Sequence, residues 1–576
     1  MIDSNEPYKV VICGGGLAGL TLSLQLKQQN PEFSITVIEK TERPLREAAH
    51  KVGESTVEIG AHYLSNTIGL KAYLDEKQFP KLGLRYFYGD SSQPFENRPE
   101  LGPSMFSPVP TYQLDRGSLE NDLREMVLQA GIQLLEGASL KDITINDGSD
   151  FNEITYSQDE QEITLSANWV VDAMGRRRYL QTKLGLKKES PHSASSVWFR
   201  LEGKVTVDDL VSSENKEWQN RNIEDRYYST NHLMGLGYWV WLIPLSSGNT
   251  SIGIVTQNDL HDFGEYSRSY EKSFKWLEKF EPKLADHIKG KEPIDFRKIK
   301  NYSYGSKQLF SENGWSCVGE SGIFSDPFYS PGSDMIAITN TFTANLIKSD
   351  FSKNLTADKV GQLNRFILET MFPDQLSYYT GGYHTFGNTQ VASTKFLWDT
   401  LYYWRVYAHA FMSGIFDDFE QLKNFEIHVK QLSELNQALQ ISFKSWAEST
   451  KSTDSFSYAD LARKGVFIES AISLLTQPKA EELDQHFQNQ LEYFKRLKLE
   501  IEEHFSQSSM STSTAFSEFH GHLSSTSKRK NKINRAISRI GNGAFLYSVR
   551  DLYINLLVRG KQRVNLSWIL KLLYAK

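Results

Sequence analysis

The sequence predicts an α/β fold that begins with a parallel sheet and continues into a β-rich region and a helical C-terminal region. Near the start, YKVVIC and SITVIEK are apolar, β-branched segments of strand length, separated by a glycine turn and a segment with helical apolar spacing. From about residue 190 to 310, strand-like alternation dominates and includes a hairpin with the turn SSGN. Beyond residue 355, apolar and aromatic residues recur at helical spacing.

The composition is that of an ordinary globular protein with two or three domains, because 39% of the 576 residues are hydrophobic and 23% are charged. No apolar run is long enough to span a membrane, and the N-terminus enters a strand without an apolar leader. Cys13 and Cys317 each end an apolar run, which favours buried core residues over a disulfide framework or a zinc site. We therefore expect a cytoplasmic protein without a bound metal.

A glycine motif follows the first strand. Gly14, Gly16 and Gly19 fit G-x-G-x-x-G, in which the glycines permit the turn, the approach of a phosphate and the packing of helix on strand. The helix from Leu17 would offer free N–H groups and its dipole to a pyrophosphate. Glu39, twenty residues after Gly19, ends the second strand, where a carboxylate can bind ribose hydroxyls. Together these features predict a dinucleotide-binding βαβ unit of the Rossmann type.

Two further strand ends point to one long cofactor. VVDAMG is a strand that ends at Asp172 and Gly175, and CVGESG is a strand that ends at Gly319 and Glu320. No second G-x-G-x-x-G indicates a separate NAD domain. The sequence resembles the glutathione-reductase-type (GR2-like) FAD domain that aromatic hydroxylases, geranylgeranyl reductases and flavin-dependent halogenases share.

That resemblance implies a set of FAD contacts. Glu39 would bind the adenosine ribose, Arg116 matches a flavin-contacting arginine, and Glu320 stands where an aspartate is usual. The expected cofactor-binding residues are Gly14, Gly16, Leu17, Ala18, Gly19, Glu39, Lys40, Gly53, Arg116, Asp172, Gly319, Glu320 and Pro327. Because no NAD domain is indicated, FADH2 would come from a separate NAD(P)H-dependent flavin reductase.

Three motifs resemble those of the flavin-dependent halogenase family in particular. WVWLIP, from Trp239 to Pro244, has the W-x-W-x-I-P pattern that distinguishes these halogenases from flavin hydroxylases. FSDPFYSPG, residues 324–332, fits F-x-x-P-x-x-S-x-G at every fixed position. FPKLGLRYFYG places Lys81 where the phenol- and pyrrole-type variants carry their active lysine. The resemblance covers about residues 8–350.

The resemblance implies a role for two of these motifs. Halide would be oxidised at the flavin to hypohalous acid, which then travels to the substrate. Trp239 and Trp241 face the same side of a strand, and we expect an apolar partition that keeps substrate and water from the flavin; the alternative is that both only fill a core.

Ser330 and Gly332 would bind chloride or bromide at a helix N-terminus, with Ser330 as N-cap and Pro331 as the first helical residue. Pro331 lacks an N–H that tryptophan halogenases use.

Lys81 is the expected catalytic group, together with the tryptophan pair. Burial would lower its pKa from about 10.4. As an ammonium it would hold hypohalous acid by a charge-assisted hydrogen bond, and as an amine it would form a haloamine; the sequence leaves both open. Tyr329 stands where tryptophan halogenases carry a glutamate. A site without that carboxylate suits an activated ring, namely a phenol, resorcinol or pyrrole, free, lipid-like or bound to an acyl carrier protein.

The chain divides into five predicted regions. They are an FAD-binding domain (1–190 and 300–350, with an inserted β meander), a β-sheet substrate domain (191–300), a helical region (351–505), a Ser/Thr-rich linker (506–530) and a basic amphipathic tail (531–576). In the helical region, the aromatic stripe within residues 396–411 fits a core better than a substrate box.

Charge is spread unevenly along the chain. Residues 528–576 hold 12 Lys or Arg and one acid, although the whole chain has a net charge of −6. The tail would pack back on the acidic body, which is the preferred interpretation, or contact an anionic membrane peripherally, or dock an acyl carrier protein. Nucleic-acid binding is not expected, because the overall charge is negative and no recognition motif is present.

The sequence therefore predicts an FADH2-dependent halogenase that acts on an electron-rich aromatic ring in secondary metabolism. One alternative is a flavin monooxygenase or reductase on the same fold without halide use, favoured by Pro331 and Glu320. The other is a flavin-free membrane or carrier adaptor built around the basic tail.

Overall fold

A computed structural model describes residues 7–46, 52–146, 151–450, 456–476, 478 and 482–507. Nearly all of the predicted linker and the whole basic tail lie outside these residues, so the three interpretations of the tail stay open.

The described chain alternates strands and helices at first; after residue 332 it is helical apart from the short strand Tyr458–Asp460. The strands are Lys9–Cys13, Ser34–Ile38, Phe79–Pro80, Leu84–Phe87, Glu100–Gly102, Tyr112–Gln113, Gln133–Leu135, Ser139–Thr144, Asn152–Gln158, Gln161–Ala167, Trp169–Asp172, Lys187–Glu189, Ala194–Leu201, Thr230–Gly235, Tyr238–Pro244, Thr250–Gln257, Pro293–Ile299, Tyr304–Ser306, Phe310–Ser311, Trp315–Cys317 and Tyr458–Asp460. The α-helices are Leu17–Gln29, Glu58–His62, Lys71–Lys77, Arg116–Gln129, Tyr179–Lys183, Lys216–Gln219, Phe263–Tyr266, Tyr270–Phe280, Pro282–Ile288, Gly332–Phe351, Ala357–Arg365, Phe372–Ser377, Thr389–Tyr403, His409–Met412, Phe419–Ser449, Gly465–Ser473 and Leu483–Gln507.

The first sheet is the predicted Rossmann-type sheet. In the described part of the chain it has six strands, in the order 310–311, 315–317, 169–172, 9–13, 34–38 and 133–135. All neighbours are parallel except the first two. Val10, Val11 and Ile12 are fully or almost fully buried, as expected of a parallel strand covered on both faces. The strand ends Cys13 and Asp172 lie side by side, so the glycine turn and the VVDAMG segment meet at one edge.

The second sheet carries the tryptophans. Among the described residues it has eight strands, in the order 293–299, 194–201, 250–257, 238–244, 230–235, 84–87, 100–102 and 458–460. It therefore extends beyond residues 191–300, the span predicted for the β-sheet domain. Side chains alternate between two cores along 238–244: Trp239 and Trp241 face the large core shared with the FAD-type sheet, and Val240 and Leu242 face a smaller core.

The helices after residue 332 close the space between the two sheets. The helix 332–351 packs against helices 17–29 and 58–62. Helix 419–449 packs against helices 389–403 and 483–507. Residues 389–403 reach back to the second sheet, because the Phe396 ring lies 4.3 Å from that of Tyr86. The helical region is therefore a wall of the space in which the sequence places the active site.

None of the helices in the described ranges is both long enough and apolar enough to cross a membrane.

Candidate functional site

The glycine motif forms a tight strand-to-helix turn at the edge of the first sheet. Gly14 has a φ of +116°, and a Cβ there would overlap the carbonyl oxygen of Ala173 on the neighbouring strand. A Cβ at Gly19 would overlap the carbonyl oxygen of Gly14, so the third glycine lets helix 17–29 pack directly on the turn. Gly16 occupies the N-cap position without a side chain to cap the helix. The first N–H groups of this helix are thus oriented as a phosphate site requires.

Glu39 lies against this turn, directly after the strand 34–38. Its carboxylate accepts hydrogen bonds from the backbone N–H of Gly15, at 2.7 Å, and of Thr41, at 2.8 Å. Each carboxylate oxygen has a second lone pair, which fits acceptance from ribose hydroxyls. Lys40 is exposed beside it.

Arg116 and Glu320 come together although 204 positions separate them in the sequence. Burial raises the pKa of Glu320, and the positive charges of Arg176 and Arg116 oppose that rise. Arg116 Nη1 donates to the carbonyl oxygen of Val52 at 2.9 Å, which holds the guanidinium close to Gly53. The sequence indicated Arg116 and Glu320 but gave no sign of Arg176, which lies 3.8 Å from Glu320.

Two other predicted cofactor residues have structural tasks of their own. Asp172 is buried, and its carboxylate accepts from the backbone N–H of Met174 at 3.0 Å and of Leu180 at 2.9 Å. Burial raises its pKa to about 6. Gly319 has a φ of +55° and lies beneath Ala18 and Ile336, where a larger residue would crowd the helix 332–351. Both residues shape the strand ends around the cofactor space.

These residues fit an FAD molecule. The glycine turn supplies close backbone approach for a pyrophosphate, Glu39 supplies a ribose acceptor, and Cβ atoms placed at Gly175 or Gly332 would meet no heavy atom within 4 Å. Gly175 ends the VVDAMG segment that the sequence assigned to FAD, and Gly332 ends the segment that the sequence assigned to halide. When bound, FAD supplies the redox chemistry that the side chains of this chain lack.

The segment predicted to bind halide ends in a left-handed turn. Helix 332–351 begins at Gly332, with Pro331 at the N-cap position and no side-chain cap, so the prediction that Ser330 caps the helix is wrong. Ser330 instead has a φ of +58°, in the left-handed region, and its N–H donates to the carbonyl oxygen of Pro327 at 2.9 Å. Ser330 thus lies one residue before the N-cap position.

Lys81 is buried, with only 3% of its surface exposed. Its Nζ donates to the backbone carbonyl oxygen of Thr56 at 2.7 Å, and its backbone N–H donates to that of Thr111 at 2.8 Å. Burial lowers the pKa of Lys81 to about 7, against the opposing negative charges of Glu58 and Asp334. Near neutral pH the group is thus divided between ammonium and amine, which leaves both predicted roles open.

Two carboxyl groups share this buried space with Lys81, and the sequence analysis missed both. Asp334 Oδ1 accepts from the N–H of Gly60 at 2.8 Å, and Asp334 Oδ2 accepts from the Tyr403 hydroxyl at 2.6 Å. Burial raises the pKa of Asp334 to about 7 and raises that of Glu58. Asp334 and Lys81, each with a pKa of about 7, form a coupled group that can hold or move a proton near neutral pH, and Glu58 lies beside them.

A close helix contact holds these carboxyl groups in place. A Cβ at Gly60 would overlap the side chain of Ser333, so helix 58–62 packs directly on the first turn of helix 332–351. Asp334 is two residues after Gly332 in the sequence. Because the two helices are in contact, Asp334 also lies beside the helix that carries Glu58. No local motif marks either acid. Their one signal is the position of Asp334 just inside a helix whose N-terminus already carries the halide motif.

The two tryptophans lie between the sheet and the 324–332 segment. The ring centroid of Trp239 is 5.2 Å from that of Phe328 and 5.6 Å from that of Trp241. Trp239 Nε1 donates to the Tyr383 hydroxyl at 2.8 Å. Trp241 is paired across the strands with Gly253, where any Cβ would overlap the indole. This glycine explains how two indoles fit on one strand face.

A hydrogen-bond network joins the tryptophan motif to the halide motif. Asp326, fully buried in FSDPFYSPG, accepts from the hydroxyls of Tyr302 at 2.5 Å and Tyr383 at 2.8 Å, and His192 Nε2 lies 2.6 Å from it. Tyr383 in turn accepts from Trp239. The two motifs, far apart in sequence, are thus linked through one tyrosine of the helical region.

A carboxylate lies beside Tyr329, although the sequence analysis expected a site without one. The Tyr329 hydroxyl donates to Asp399 Oδ2 at 2.7 Å, and Asp399 forms a buried ion pair with Lys395. Both partners come from helix 389–403; Asp399 lies within the stretch interpreted as core, and Lys395 directly precedes that stretch. Trp398 and Tyr402 of that helix are core residues, since both are buried against Phe494.

Comparison with known proteins agrees with this geometry. Residues 7–250 match the family described as "FAD binding domain". The chain is 30% identical over 376 residues to the flavin-dependent halogenase chlA of Dictyostelium discoideum, with 60% of each protein aligned. It is 26% identical to a 1H-pyrrole-2-carbonyl-[peptidyl-carrier protein] chlorinase of Pseudomonas fluorescens, over 57% of this chain and 73% of that protein. The alignment thus spans less than two thirds of the chlA sequence.

Solved structures share the fold. The crystal structure of halogenase PltM superimposes with a TM-score of 0.64 at 17% identity, covering 83% of this chain and 96% of that chain. A second PltM structure, in complex with phloroglucinol and FAD, gives a TM-score of 0.56 and covers 92% of this chain. The chain is therefore similar in sequence to flavin-dependent halogenases over about 60% of its length, and it shares the fold of solved halogenase structures.

Proposed function

We propose that the chain is an FADH2-dependent halogenase that oxidises chloride or bromide and halogenates an electron-rich aromatic ring. One observation carries the proposal: the first turn of helix 332–351 presents Gly332 to the open space and also brings Asp334 to the buried group around Lys81. The halide motif and the lysine motif therefore belong to one assembly. A monooxygenase that lets its substrate reach the flavin has no need of such a buried amine.

Each part of the chain has a distinct task in this proposal. The glycine turn, Glu39 and Arg116 hold FAD. The N–H groups of Gly332 and the following residues favour a halide anion, because they lie at a helix N-terminus. Lys81 receives the hypohalous acid and holds it by hydrogen bonding as an ammonium, or by forming a haloamine as a neutral amine.

Trp239 and Trp241 form the apolar partition in the proposal. Their packing against Phe328 and the hydrogen bond from Trp239 to Tyr383 support a fixed position beside the halide segment. A rigid aromatic surface there excludes water, which would otherwise destroy the oxidant. Reduced flavin comes from a separate NAD(P)H-dependent reductase.

Reconstitution tests the proposed function. The FAD-loaded protein is mixed with a flavin reductase, NADH and bromide, and is given phenols, resorcinols and carrier-bound pyrroles. We expect products with the bromine isotope pattern in the mass spectrum, and their loss when halide is omitted. An oxygenated product that forms equally well without halide would instead establish the monooxygenase alternative, which Pro331 favours because it lacks one N–H donor.

A further inference from the structure

The two oxygens of the Asp326 carboxylate bind different parts of the chain. Oδ1 accepts from the backbone N–H of Phe328 at 2.8 Å, within the halide segment, residues 324–332. Oδ2 lies within hydrogen-bond distance of three groups from distant parts of the sequence, namely His192 Nε2 at 2.6 Å and the hydroxyls of Tyr302, at 2.5 Å, and Tyr383, at 2.8 Å. The first oxygen thus fixes the backbone of the halide segment, and the second ties that segment to its surroundings.

Burying this carboxylate is costly. Asp326, Tyr302 and Tyr383 are each at most 2% exposed. A buried charge with polar partners is often no more stabilising than apolar side chains of the same volume. Buried polar groups can instead select one arrangement of packed elements, as they do when a single polar residue sets the register of two helices. The surroundings of Asp326 therefore point to a positional role.

Tyr383 connects this carboxylate to the tryptophan motif. Its hydroxyl donates to Asp326 and accepts from Trp239 Nε1 at 2.8 Å. An indole has one N–H donor, and that of Trp239 is directed to Tyr383. The indole N–H of Trp241 instead donates to Ser251 Oγ at 3.2 Å, on the neighbouring strand. Trp239 is thus bonded, through a side chain of the helical region, to the carboxylate of the halide segment.

Ring contacts support the same connection. The ring centroid of Phe328 is 5.2 Å from that of Trp239 and 4.7 Å from that of Phe386, on which Phe328 is stacked. Phe386 follows Tyr383 by three residues, and its backbone N–H donates to the carbonyl oxygen of Tyr383 at 3.3 Å. The hydrogen bond through Tyr383 and the ring contact through Phe328 therefore hold the same indole.

We propose that Tyr383 is a positioning residue that holds Trp239 against the halide segment, so that oxidised halide reaches the substrate rather than the solvent. The role rests on the proposed function, in which the tryptophan pair forms the partition. A partition is effective only while its position relative to the halide segment is fixed, because hypohalous acid is small and soluble in water. Tyr383 lies beyond residues 8–350, so the halogenase-like motifs do not include it.

Escape of the oxidant is measured with a trap in the solvent. The FAD-loaded wild type and Tyr383→Phe are supplied with a flavin reductase, NADH, bromide and phloroglucinol, together with monochlorodimedone, which free hypobromous acid brominates. For the wild type we expect little bromine in the trap. In Tyr383→Phe the trapped fraction should rise about fivefold, because the loss of one buried hydrogen bond favours displaced positions of Trp239 by about that factor.

The position of Trp239 is measured separately, without turnover. The FAD-loaded protein is labelled with fluorotryptophan, and the fluorine signal of Trp239 is assigned by its loss in Trp239→Phe. We expect this signal to shift and broaden in Tyr383→Phe. The signal of Trp169, which lies in the first sheet and donates to Asp350 at 3.0 Å, should stay unchanged.

A matched control separates positioning from stability. Tyr407 is also fully buried in the helical region, and its hydroxyl donates to Asp374 at 2.7 Å. Tyr407→Phe therefore removes the same kind of bond at a carboxylate that belongs to neither motif. It should lower the melting temperature about as much as Tyr383→Phe does. Its trapped fraction and its Trp239 signal should remain those of the wild type.

Removing the same bond from its other end gives a second test, which holds even if Tyr383→Phe does not fold. Benzothienylalanine in place of Trp239 keeps the double ring but lacks the N–H. It should raise the trapped fraction about as much as Tyr383→Phe. The two changes together should raise it no further than Tyr383→Phe alone, because both remove one bond. Fold-changes that multiply in the double variant would overturn the inference.

The failure of this inference can be distinguished from that of the proposed function. If the wild type brominates neither phloroglucinol nor the trap, the proposed function fails, and the role of Tyr383 with it. If the wild type brominates phloroglucinol and Tyr383→Phe keeps the low trapped fraction of the wild type, only the role of Tyr383 is overturned, whether or not the Trp239 signal moves. A higher trapped fraction with an unmoved Trp239 signal would overturn it too, because Tyr383 would then act through another group.

Discussion

Two buried lysines, Lys81 and Lys395, differ in their surroundings. Lys81 donates to a neutral carbonyl oxygen and has two carboxyl groups nearby, whereas Lys395 is bonded directly to the carboxylate of Asp399. Burial lowers the pKa of both. The ion pair with Asp399 opposes the lowering at Lys395, while Lys81, with a pKa of about 7, can lose its proton near neutral pH. We therefore propose a fixed positioning role for Lys395 and a chemical role for Lys81.

Replacing each lysine in turn should change the free energy of unfolding by different amounts. Lys395→Met leaves Asp399 buried without its cation, and we expect a loss of about 3–5 kcal/mol in the free energy of unfolding. Lys81→Met removes an amine whose burial already costs stability at pH 7, so we expect a loss below about 1 kcal/mol or a gain. Urea denaturation at pH 7 measures both. The double variant Lys395→Met/Asp399→Leu should recover most of the loss, and an equal loss in the two single variants would invalidate the contrast.

Adding a methyl group should disturb the Lys81 region more than the Lys395 region. A Cβ at Gly60 overlaps the Ser333 side chain at a helix contact, so Gly60→Ala should cost about 1–3 kcal/mol and separate Asp334 from helix 58–62. A Cβ at Gly382 would lie 3.3 Å from Cε of Lys395, a flexible side chain that can move aside. We therefore expect Gly382→Ala to cost less than about 1 kcal/mol. Thermal unfolding of both variants is the check, and the reverse order would contradict the packing described here.

Neutralising one carboxyl group should shift the titration of Lys81. The charge of Glu58 raises the pKa of Lys81, so Glu58→Gln should lower that pKa below about 7. The limb of the pH–rate profile that belongs to Lys81 should move to lower pH by about one unit. Asp334 and His232 also face this space, so the wild-type profile is expected to show coupled ionisations. An unchanged profile would mean that Lys81 does not control the measured rate.

The burial of Lys81 also has a consequence for stability. Its folded-state pKa of about 7 lies below the unfolded value of about 10.4, so the unfolded chain binds more protons between these pH values. The contribution of Lys81 to stability is therefore lost as the pH falls from about 10 to 7. In Lys81→Met this part of the pH dependence of unfolding should disappear.

The features that could be predicted from the sequence are those determined by residues close together in the chain. The glycine turn was predictable because Gly14 and Gly19 set a backbone geometry within six residues, and Glu39 follows at a fixed distance. The motifs around Lys81, Trp239 and the halide segment were recognisable only through their resemblance to those of flavin-dependent halogenases. Their roles remain predictions.

The remainder of the site was not predictable because it is assembled from distant segments. Glu58, Asp334 and Tyr403 meet only through the packing of three helices, and each looks like an ordinary residue in its own segment. Asp399 reaches Tyr329 across 70 positions, so the sequence wrongly suggested a site without a carboxylate. The cap of helix 332–351 was misplaced because the left-handed backbone at Ser330 has no signature in the residue type.

Bromination by Lys81→Met is the measurement that tests the account most directly, with Lys77→Met, an exposed lysine nearby, as the matched control. Both variants and the wild type are supplied with FAD, a flavin reductase, NADH, bromide and phloroglucinol. The account predicts that Lys81→Met binds FAD and consumes NADH normally but gives no brominated product, while Lys77→Met matches the wild type. Bromination by Lys81→Met at the wild-type rate would contradict it.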